Sequence, residues 1–283
     1  MQLPAKFTEK IIELIGKEEY LKYEASLDQN KACGLRVNTL KITPEEFATA
    51  FALDLPMQDS IPWTSDGFYY DNSLFPAKNA LYHAGLFYLQ DPSAMYPGQN
   101  LGVEPGDRVL DMCAAPGGKS TKIASELKGQ GVLVANDISE TRVKALVYNL
   151  ERWGCKNAII TNESPENLCK HFTGYFNKIL IDAPCSGEGM FRKDDEALSA
   201  WGKYDKSKFT QIQGELLEYA SQLLTPGGTI IYSTCTFDDA EDEKIIEASL
   251  RNILNLKSLR WRKKAAFQTV SACRTLPDYG RTD

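Results

Sequence analysis

Histidines and closely spaced cysteines are scarce in this sequence of 283 residues. It holds only two histidines, and its seven cysteines are far apart in the chain with no Cys-x-x-Cys pair. A zinc site needs clustered ligands and a disulfide framework needs paired cysteines, so we expect neither a metal nor structural disulfides. Isolated reduced thiols of this kind favour a cytoplasmic location.

The sequence also lacks long apolar runs and an excess of positive charge. No apolar stretch is long enough to cross a membrane, and the first residues have neither the basic head nor the apolar core of a secretion signal. We therefore expect no membrane partner. The formal net charge of −6 argues against non-specific binding of nucleic acid, although residues 251–283 carry eight Lys and Arg against two Asp.

Strand and helix patterns alternate from residue 107 onward. Strands are predicted at 108–113, 131–137, 158–162, 178–182 and 229–235, with helices between them. This alternation is typical of an α/β fold with a doubly wound, Rossmann-like parallel sheet. A small α/β N-terminal module is predicted before it, with a helix over Ala5 to Ile15 and a strand at 34–40. We divide the chain into this module and its connecting helices (1–96), the sheet domain (97–250) and a basic tail (251–283).

A glycine-rich turn, DMCAAPGGK at residues 111–119, follows the first strand of this sheet. The start of the next helix favours anionic groups, and Gly117 and Gly118 lack side chains that would obstruct a ligand. Asp137 stands 20 residues after Gly117, where a carboxylate typically binds ribose hydroxyls. The alternative is a turn and a helix cap without a ligand; we favour a nucleoside site. A P-loop needs glycine where Cys113 stands, and no G-x-G-x-x-G occurs, so neither a nucleotide phosphate nor a dinucleotide fits well.

Two other cysteines are predicted at strand ends, Cys185 in DAPCSGEGM (182–190) and Cys235 in STCT (233–236). Ligands collect at the carboxyl ends of parallel strands, and a thiolate adds readily to an electron-poor ring. Cytosine and uracil have such a carbon at position 6, and addition there makes carbon 5 able to attack a sulfonium methyl group. The chemistry needs a nucleophile, an acid near ring nitrogen 3 and a base. Cys235, Asp182 and Cys185 supply these types.

The remaining cysteines are interpreted as small apolar side chains. These are Cys33, Cys155, Cys169 and Cys273.

The turn and the two cysteine motifs, in this order, closely resemble the RNA cytosine-5 methyltransferases of the Sun/Nop type. The resemblance covers about residues 5 to 250 and is closest to the bacterial branch that modifies small-subunit ribosomal RNA. It implies a methyltransferase domain at 97–250 that uses S-adenosylmethionine to methylate carbon 5 of a cytosine in RNA. The expected substrate is 16S ribosomal RNA, with transfer RNA as the alternative, and the expected state is a monomer.

The resemblance also implies roles for individual residues. Cys235 would attack the base and Cys185 would assist its release, whereas the DNA enzymes attack from the Pro-Cys motif on the fourth strand. The residues implied to line the methyl-donor site are Cys113, Ala114, Ala115, Pro116, Gly117, Gly118, Lys119, Asp137 and Asp182.

Two departures from the family pattern stand out. Ser164 occupies the position of a further acid that contacts adenine, so we expect Asn162 or Glu163 to replace that contact. After strand five the family continues into an antiparallel strand pair and often an RNA-binding domain, which residues 261–283 do not resemble. We therefore expect a sheet that is incomplete at its C-terminal end, through truncation, frameshift or divergence.

The alternative function is a non-catalytic product that binds S-adenosylmethionine or RNA.

Overall fold

The computed structural model describes residues 3–29, 31–53, 55–193, 195–203, 206–252 and 274–275, which form two sheets flanked by helices. The strands are β1 (Cys33–Val37), β2 (Met57–Ser60), β3 (Gly67–Tyr70), β4 (Phe87–Leu89), β5 (Arg108–Asp111), β6 (Val132–Asn136), β7 (Ala158–Thr161), β8 (Phe176–Asp182), β9 (Leu224–Thr234) and β10 (Arg274–Thr275). The helices are α1 (Ala5–Ile15), α2 (Lys17–Leu27), α3 (Pro44–Ala50), α4 (Ala80–His83), α5 (Tyr96–Asn100), α6 (Gly118–Leu127), α7 (Glu140–Trp153), α8 (Pro165–Phe172), α9 (Asp195–Ala200), α10 (Lys206–Leu223) and α11 (Glu243–Asn252).

The larger sheet has the strand order β10-β9-β8-β5-β6-β7. The five strands from β5 to β9 are parallel, which confirms the predicted doubly wound fold. The chain reverses its direction of winding between β5 and β8, so the carboxyl ends of these two strands border the crevice in which such folds bind ligands. The predicted cofactor turn and the Cys185 motif follow β5 and β8 directly.

Alternating side chains of the central strands bury opposite faces of this sheet. Val109 packs with α6 and α7, whereas its neighbour Leu110 packs with α8, α10 and α11. Both side chains are fully buried. Successive residues of a strand point to opposite faces of the sheet, and here helices cover both faces. The apolar strand sequences that predicted the fold are therefore explained by two layers of helices.

The smaller sheet has the antiparallel order β2-β3-β1-β4. Helix α3 packs on it and begins with a capping box: Thr43 accepts from the backbone of Glu46, whose side chain returns the bond, and Pro44 is the first helical residue. Helix α1 has the predicted bounds, whereas α2 was not predicted. Both of these helices lie against the loops that follow β8 and β9, through a cluster that includes Phe7, Phe191 and Phe237.

Buried charges join the smaller sheet to helix α6. Arg36 on β1 is fully buried and donates to the carbonyl of Gly118 at 2.8 Å and to the hydroxyl of Thr121 at 2.6 Å. Beside it, the Lys122 ammonium lies 3.0 Å from the buried carboxylate of Asp66. Because unpaired buried charges are costly, these contacts fix the N-terminal module on the first turns of α6.

Strand β10 pairs antiparallel with the end of β9, with Arg274 opposite Thr234 and Thr275 opposite Ser233. Within the described part of the chain it is the only strand beyond β9. Of the predicted basic tail, Arg251 and Asn252 end helix α11; the residues other than these and β10, Cys273 among them, lie outside the described residues. Among the described residues, no helix is both long and apolar enough for a membrane crossing, and no group of three or more His, Cys, Asp or Glu could hold a metal ion.

Candidate active site

The predicted cofactor turn connects β5 to α6, and its glycines are required by the protein itself. Gly117 precedes the helix with φ +112°, in the left-handed region, and a β-carbon there would lie 3.3 Å from Leu146 on α7. A β-carbon on Gly118 would lie 3.1 Å from the Gln90 amide and 3.2 Å from the Tyr88 ring. The structure thus gives a reason for both glycines that differs from the predicted one: they allow close packing against α7 and against the N-terminal module.

Asp137 lies one residue beyond β6, not at the predicted end of the strand, and its carboxylate faces the turn. One oxygen accepts from the backbone amide of Ala115 at 3.1 Å, and the other accepts from the amide of Ser139 at 3.0 Å. The Arg142 guanidinium is 3.4 Å away. Asp137 thereby ties the turn to the start of α7. At the start of that helix the Ser139 hydroxyl contacts the Thr141 hydroxyl and makes no hydrogen bond to a backbone amide of the helix.

Asp111, at the end of β5, was not predicted as a site residue. It is fully buried, and only one of its oxygens is bonded, by the Ser120 hydroxyl at 2.6 Å. The other oxygen has no hydrogen-bond partner among the described residues. Burial raises the pKa of this carboxyl to about 7. A buried, unpartnered acceptor at the start of the predicted cofactor turn is a signal that only the structure provides, since in the sequence Asp111 resembles any strand-end acid.

The loop after β7 explains the unusual Ser164. Its hydroxyl accepts from the backbone of Asn167 at 3.2 Å and caps helix α8. Of the two expected substitutes for the missing acid, Asn162 donates to the Asp137 carbonyl at 2.7 Å, whereas the Glu163 carboxylate accepts from Asn167. Asn162 is therefore the one that lies beside the turn and Asp137.

Asp182 ends β8 and is bonded through both of its carboxylate oxygens. Lys119 donates to one oxygen at 2.6 Å, and the Ser233 hydroxyl donates to the other at 2.7 Å. Lys119 comes from the first turn of α6 and Ser233 from β9, so Asp182 connects the cofactor turn with the strand that leads to Cys235. Three predicted site segments therefore meet at one carboxylate.

The two motif cysteines lie together at the carboxyl edge of the sheet. Cys185 follows β8 and Cys235 follows β9, and their sulfur atoms are 3.3 Å apart. The backbone amide of Cys235 also donates to the Cys185 sulfur at 3.4 Å. Cys235 is exposed and Cys185 is partly buried. The fold thus brings the sulfurs of two motifs that are 50 residues apart in the sequence into contact with each other.

The short contact between the sulfurs makes them chemically unequal. The hydrogen bond from Cys185 lowers the pKa of the Cys235 thiol, and this bond outweighs the opposing effect of burial. The same bond, followed by burial, raises the pKa of Cys185 well above its ordinary value. Cys235 is therefore the member of the pair that ionises first, and Cys185 is the proton donor that stabilises its thiolate.

The other described cysteines have different surroundings. Burial, with the nearby carboxylates of Asp111 and Asp182, raises the pKa of Cys113, so this thiol stays neutral in the turn. Cys155 and Cys169 pack against the two faces of the sheet, and burial raises the pKa of each. Cys33 is partly buried. Among the described cysteines, only Cys185 and Cys235 thus have their sulfurs in close contact with each other.

Comparison with known proteins places these features in a family. The sequence profile of the 16S rRNA methyltransferase RsmB/F family matches residues 99–283, and that of the N-terminal domain of 16S rRNA methyltransferase RsmF matches residues 3–92. The chain is 37% identical over 252 residues to ribosomal RNA small subunit methyltransferase F of Vibrio vulnificus strain YJ016, covering 86% of this chain and 53% of the relative. It therefore spans about half the length of the curated relatives it matches.

Two solved structures from Pyrococcus horikoshii share the fold. A methyltransferase homolog protein is 30% identical with a TM-score of 0.76, covering 91% of this chain and 81% of that one. NSun6, solved with SFG, is 20% identical with a TM-score of 0.80, covering 99% of each chain. The second likeness shows the fold alone. Together with the profile that matches most of the sequence, the strand order and the paired cysteines, these findings show that the chain belongs to the 16S rRNA methyltransferase RsmB/F family.

Proposed function

We propose that this chain transfers a methyl group from S-adenosylmethionine to carbon 5 of a cytosine in RNA, with 16S ribosomal RNA as the substrate. The observation that carries the proposal is the pair of sulfurs 3.3 Å apart, with the pKa of Cys235 lowered by the hydrogen bond from Cys185. A non-catalytic binding protein has no need of an exposed thiol whose pKa is lowered. The names of the curated relatives support the substrate.

The residues of the turn fit a methyl donor of this kind. The left-handed Gly117 leads into the amino-terminal end of α6, and the unpartnered oxygen of buried Asp111 is suited to a ligand ammonium group. We propose that Asp137 binds the ribose hydroxyls and that residues 113–119, with Asp182, complete the site. When bound there, S-adenosylmethionine supplies an electrophilic methyl group.

The cysteines would act in sequence on the base. The Cys235 thiolate forms a bond to carbon 6 of the cytosine, and Asp182 interacts with ring nitrogen 3 as the added electron pair moves into the ring. Once Cys235 is a thioether, the thiolate that held the proton on Cys185 no longer exists. Carbon 5 then takes the methyl group that the donor supplies. The pKa of Cys185 falls, its proton passes to solvent, and the resulting thiolate takes the proton from methylated carbon 5. The electron pair of that carbon–hydrogen bond restores the ring double bond and expels the Cys235 thiolate.

Three further expectations belong to this proposal. We propose that residues 1–96 form the N-terminal module, 97–250 the methyltransferase domain and 251–283 a basic tail, since the smaller sheet lies in the first segment and the parallel strands β5 to β9 lie in the second. We also propose that the protein acts as a monomer. Its unpaired thiols suit the reducing cytoplasm.

The experiment that tests the function is transfer of tritiated methyl from S-adenosylmethionine to purified RNA, followed by identification of the modified nucleoside. We expect 5-methylcytidine in 16S ribosomal RNA and much less in transfer RNA. Methylation of transfer RNA alone would change the substrate, and label in uridine would change the target base. Label in adenosine or guanosine would contradict the cysteine mechanism.

A further inference from the structure

Glu188 is a buried carboxylate in the loop that follows Cys185. Its side chain has no exposed surface, and both oxygens lie within 2.9 Å of the Lys10 ammonium. It also accepts from the Trp201 indole at 2.8 Å and from the backbone amide of Phe237 at 3.3 Å. Because a buried charge is stable only when it is paired and hydrogen-bonded, these bonds specify where the loop lies.

Lys10 belongs to helix α1, at the opposite end of the sequence from the cysteines. Besides Glu188, its ammonium lies 2.9 Å from the carboxylate of Asp238. Glu188 is three residues after Cys185, and Asp238 is three residues after Cys235. A single ammonium therefore bridges the two loops that carry the sulfurs.

The same helices press aromatic side chains against these loops. The ring of Phe7 on α1 is 5.0 Å from that of Phe191, and the ring of Tyr23 on α2 is 6.2 Å from that of Phe237. Helices α1 and α2 thus contact the loop after Cys185 and the loop after Cys235 together. Within this cluster the Glu188 side chain has no exposed surface, whereas the Lys10 side chain keeps 25% of its surface exposed.

The two loops also touch directly beside the reactive sulfur. The backbone amide of Gly189 donates to the carbonyl of Cys235 at 2.7 Å. A β-carbon on Gly189 would lie only 2.8 Å from that carbonyl oxygen. The backbone next to Glu188 is therefore in contact with the backbone of Cys235, so displacement of the Glu188 loop would move one sulfur relative to the other.

We propose that Lys10 and Glu188 are positioning residues through which the N-terminal helix α1 sets the separation of the Cys185 and Cys235 sulfurs. We assign neither residue a contact with the base or the methyl donor. The N-terminal module is thereby required for the reactive state of the cysteine pair, in addition to any contact it makes with RNA. The catalytic consequence rests on the proposed function, whereas the state of the thiols does not.

The test uses Lys10→Met, the charge-preserving Lys10→Arg and, as a matched control, Lys22→Met on helix α2, whose ion pair with Glu19 is exposed. The first readout is the pH profile of Cys235 alkylation by iodoacetamide, followed by peptide mass analysis. We expect Lys10→Met to shift this profile to higher pH and slow alkylation at pH 7 about tenfold, because the hydrogen bond from Cys185 is weakened. Lys10→Arg and Lys22→Met should stay within about threefold of the parent chain.

The second readout is single-turnover methylation of RNA. We expect Lys10→Met to reduce the rate at saturating RNA by about tenfold to a hundredfold while the RNA concentration at half saturation stays unchanged. A profile and a rate equal to those of the parent chain would overturn the proposal. So would a defect in RNA affinity alone with normal alkylation, since α1 would then be an RNA contact.

If Lys10→Met fails to fold, the double variant that combines Lys10→Met with Glu188→Gln is measured instead, because it removes both charges of the pair together. We expect the double variant to regain the melting temperature of the parent chain within a few degrees but to keep the alkylation shift, since the bridge to Asp238 is still absent. Recovery of both stability and alkylation would overturn the proposal. If the parent chain methylates no RNA, the proposed function fails while the alkylation arm still decides this inference.

Discussion

At the scale of single residues, one hydrogen bond between sulfurs distinguishes the two cysteines. Cys235 is exposed with a lowered pKa, and Cys185 is partly buried with a raised one. Sequence position alone could not make this distinction, because both residues follow strands in similar motifs. The asymmetry supports the assignment of Cys235 as the attacking group and explains why Cys185 begins the cycle protonated.

This asymmetry predicts opposite defects for two alanine variants. Cys235→Ala should abolish methylation and form no covalent RNA adduct, because no thiolate attacks the base. Cys185→Ala should attack and methylate more slowly, because Cys235 loses the hydrogen bond that lowers its pKa. Its release of RNA should be slower still, so enzyme and RNA remain linked on a denaturing gel run with S-adenosylmethionine present. Cys155→Ala serves as the control. RNA trapped by Cys235→Ala and not by Cys185→Ala would reverse the assignment.

Asp111 predicts a pH-dependent stability. Its folded-state pKa is about 7, above the value of an unfolded aspartate, so the folded chain binds a proton more tightly and loses stability as pH rises from about 4 to 7. Asp111→Asn keeps the Ser120 bond and removes the ionisation. The free energy of unfolding of the variant should exceed that of the parent chain by about 4 kcal/mol above pH 7 and match it near pH 4. Urea melts without methyl donor measure this; a constant difference would show that Asp111 ionises normally.

At the scale of elements, helix α10 contains a glycine that its surroundings do not require. A β-carbon on Gly214 would lie 3.5 Å from Ile245, an ordinary contact. Alanine loses less backbone entropy than glycine in a helix interior, so Gly214→Ala should raise the free energy of unfolding by about 0.5–1 kcal/mol. Gly131→Ala is the contrasting variant, since its β-carbon would meet the Asp107 carbonyl at 2.2 Å with φ +81°, and it should destabilise. A loss of stability in Gly214→Ala would indicate that α10 and α11 pack more tightly than this distance implies.

The elements also show how far the sequence determines the fold. Long apolar strands and strong helix signals predicted β5 to β9 and α1 within a few residues, because these patterns reflect burial directly. Helix α2 was missed: its buried Tyr20 and Tyr23 pack on loops distant in sequence, and the pattern does not reveal that partner. The predicted cysteine motifs meet at one edge because parallel strands share it. The roles of Asp111, Lys10 and Glu188 depend on burial and long-range contacts, which no local pattern contains.

At the scale of the whole molecule, ligand binding predicts a change in thermal stability. A ligand that binds only the folded state stabilises it by about 2.7 kcal/mol at a hundred times its dissociation constant. S-adenosylmethionine at that concentration should therefore raise the melting temperature by about 5 °C. Asp137→Ala should weaken donor affinity by about 1 to 3 kcal/mol and reduce the shift, whereas Glu151→Ala, exposed on α7, should not. An equal shift in all three proteins would remove Asp137 from the donor site.

The closeness of the two sulfurs also makes this site sensitive to peroxide. Hydrogen peroxide would oxidise the Cys235 thiolate to a sulfenic acid, and the Cys185 thiol, with its sulfur 3.3 Å away, could condense with it and release water. The resulting disulfide removes the nucleophile and the release group in one event, and a thiol reductant restores both. The arrangement that favours attack on a base would therefore make the proposed methylation of RNA dependent on redox conditions.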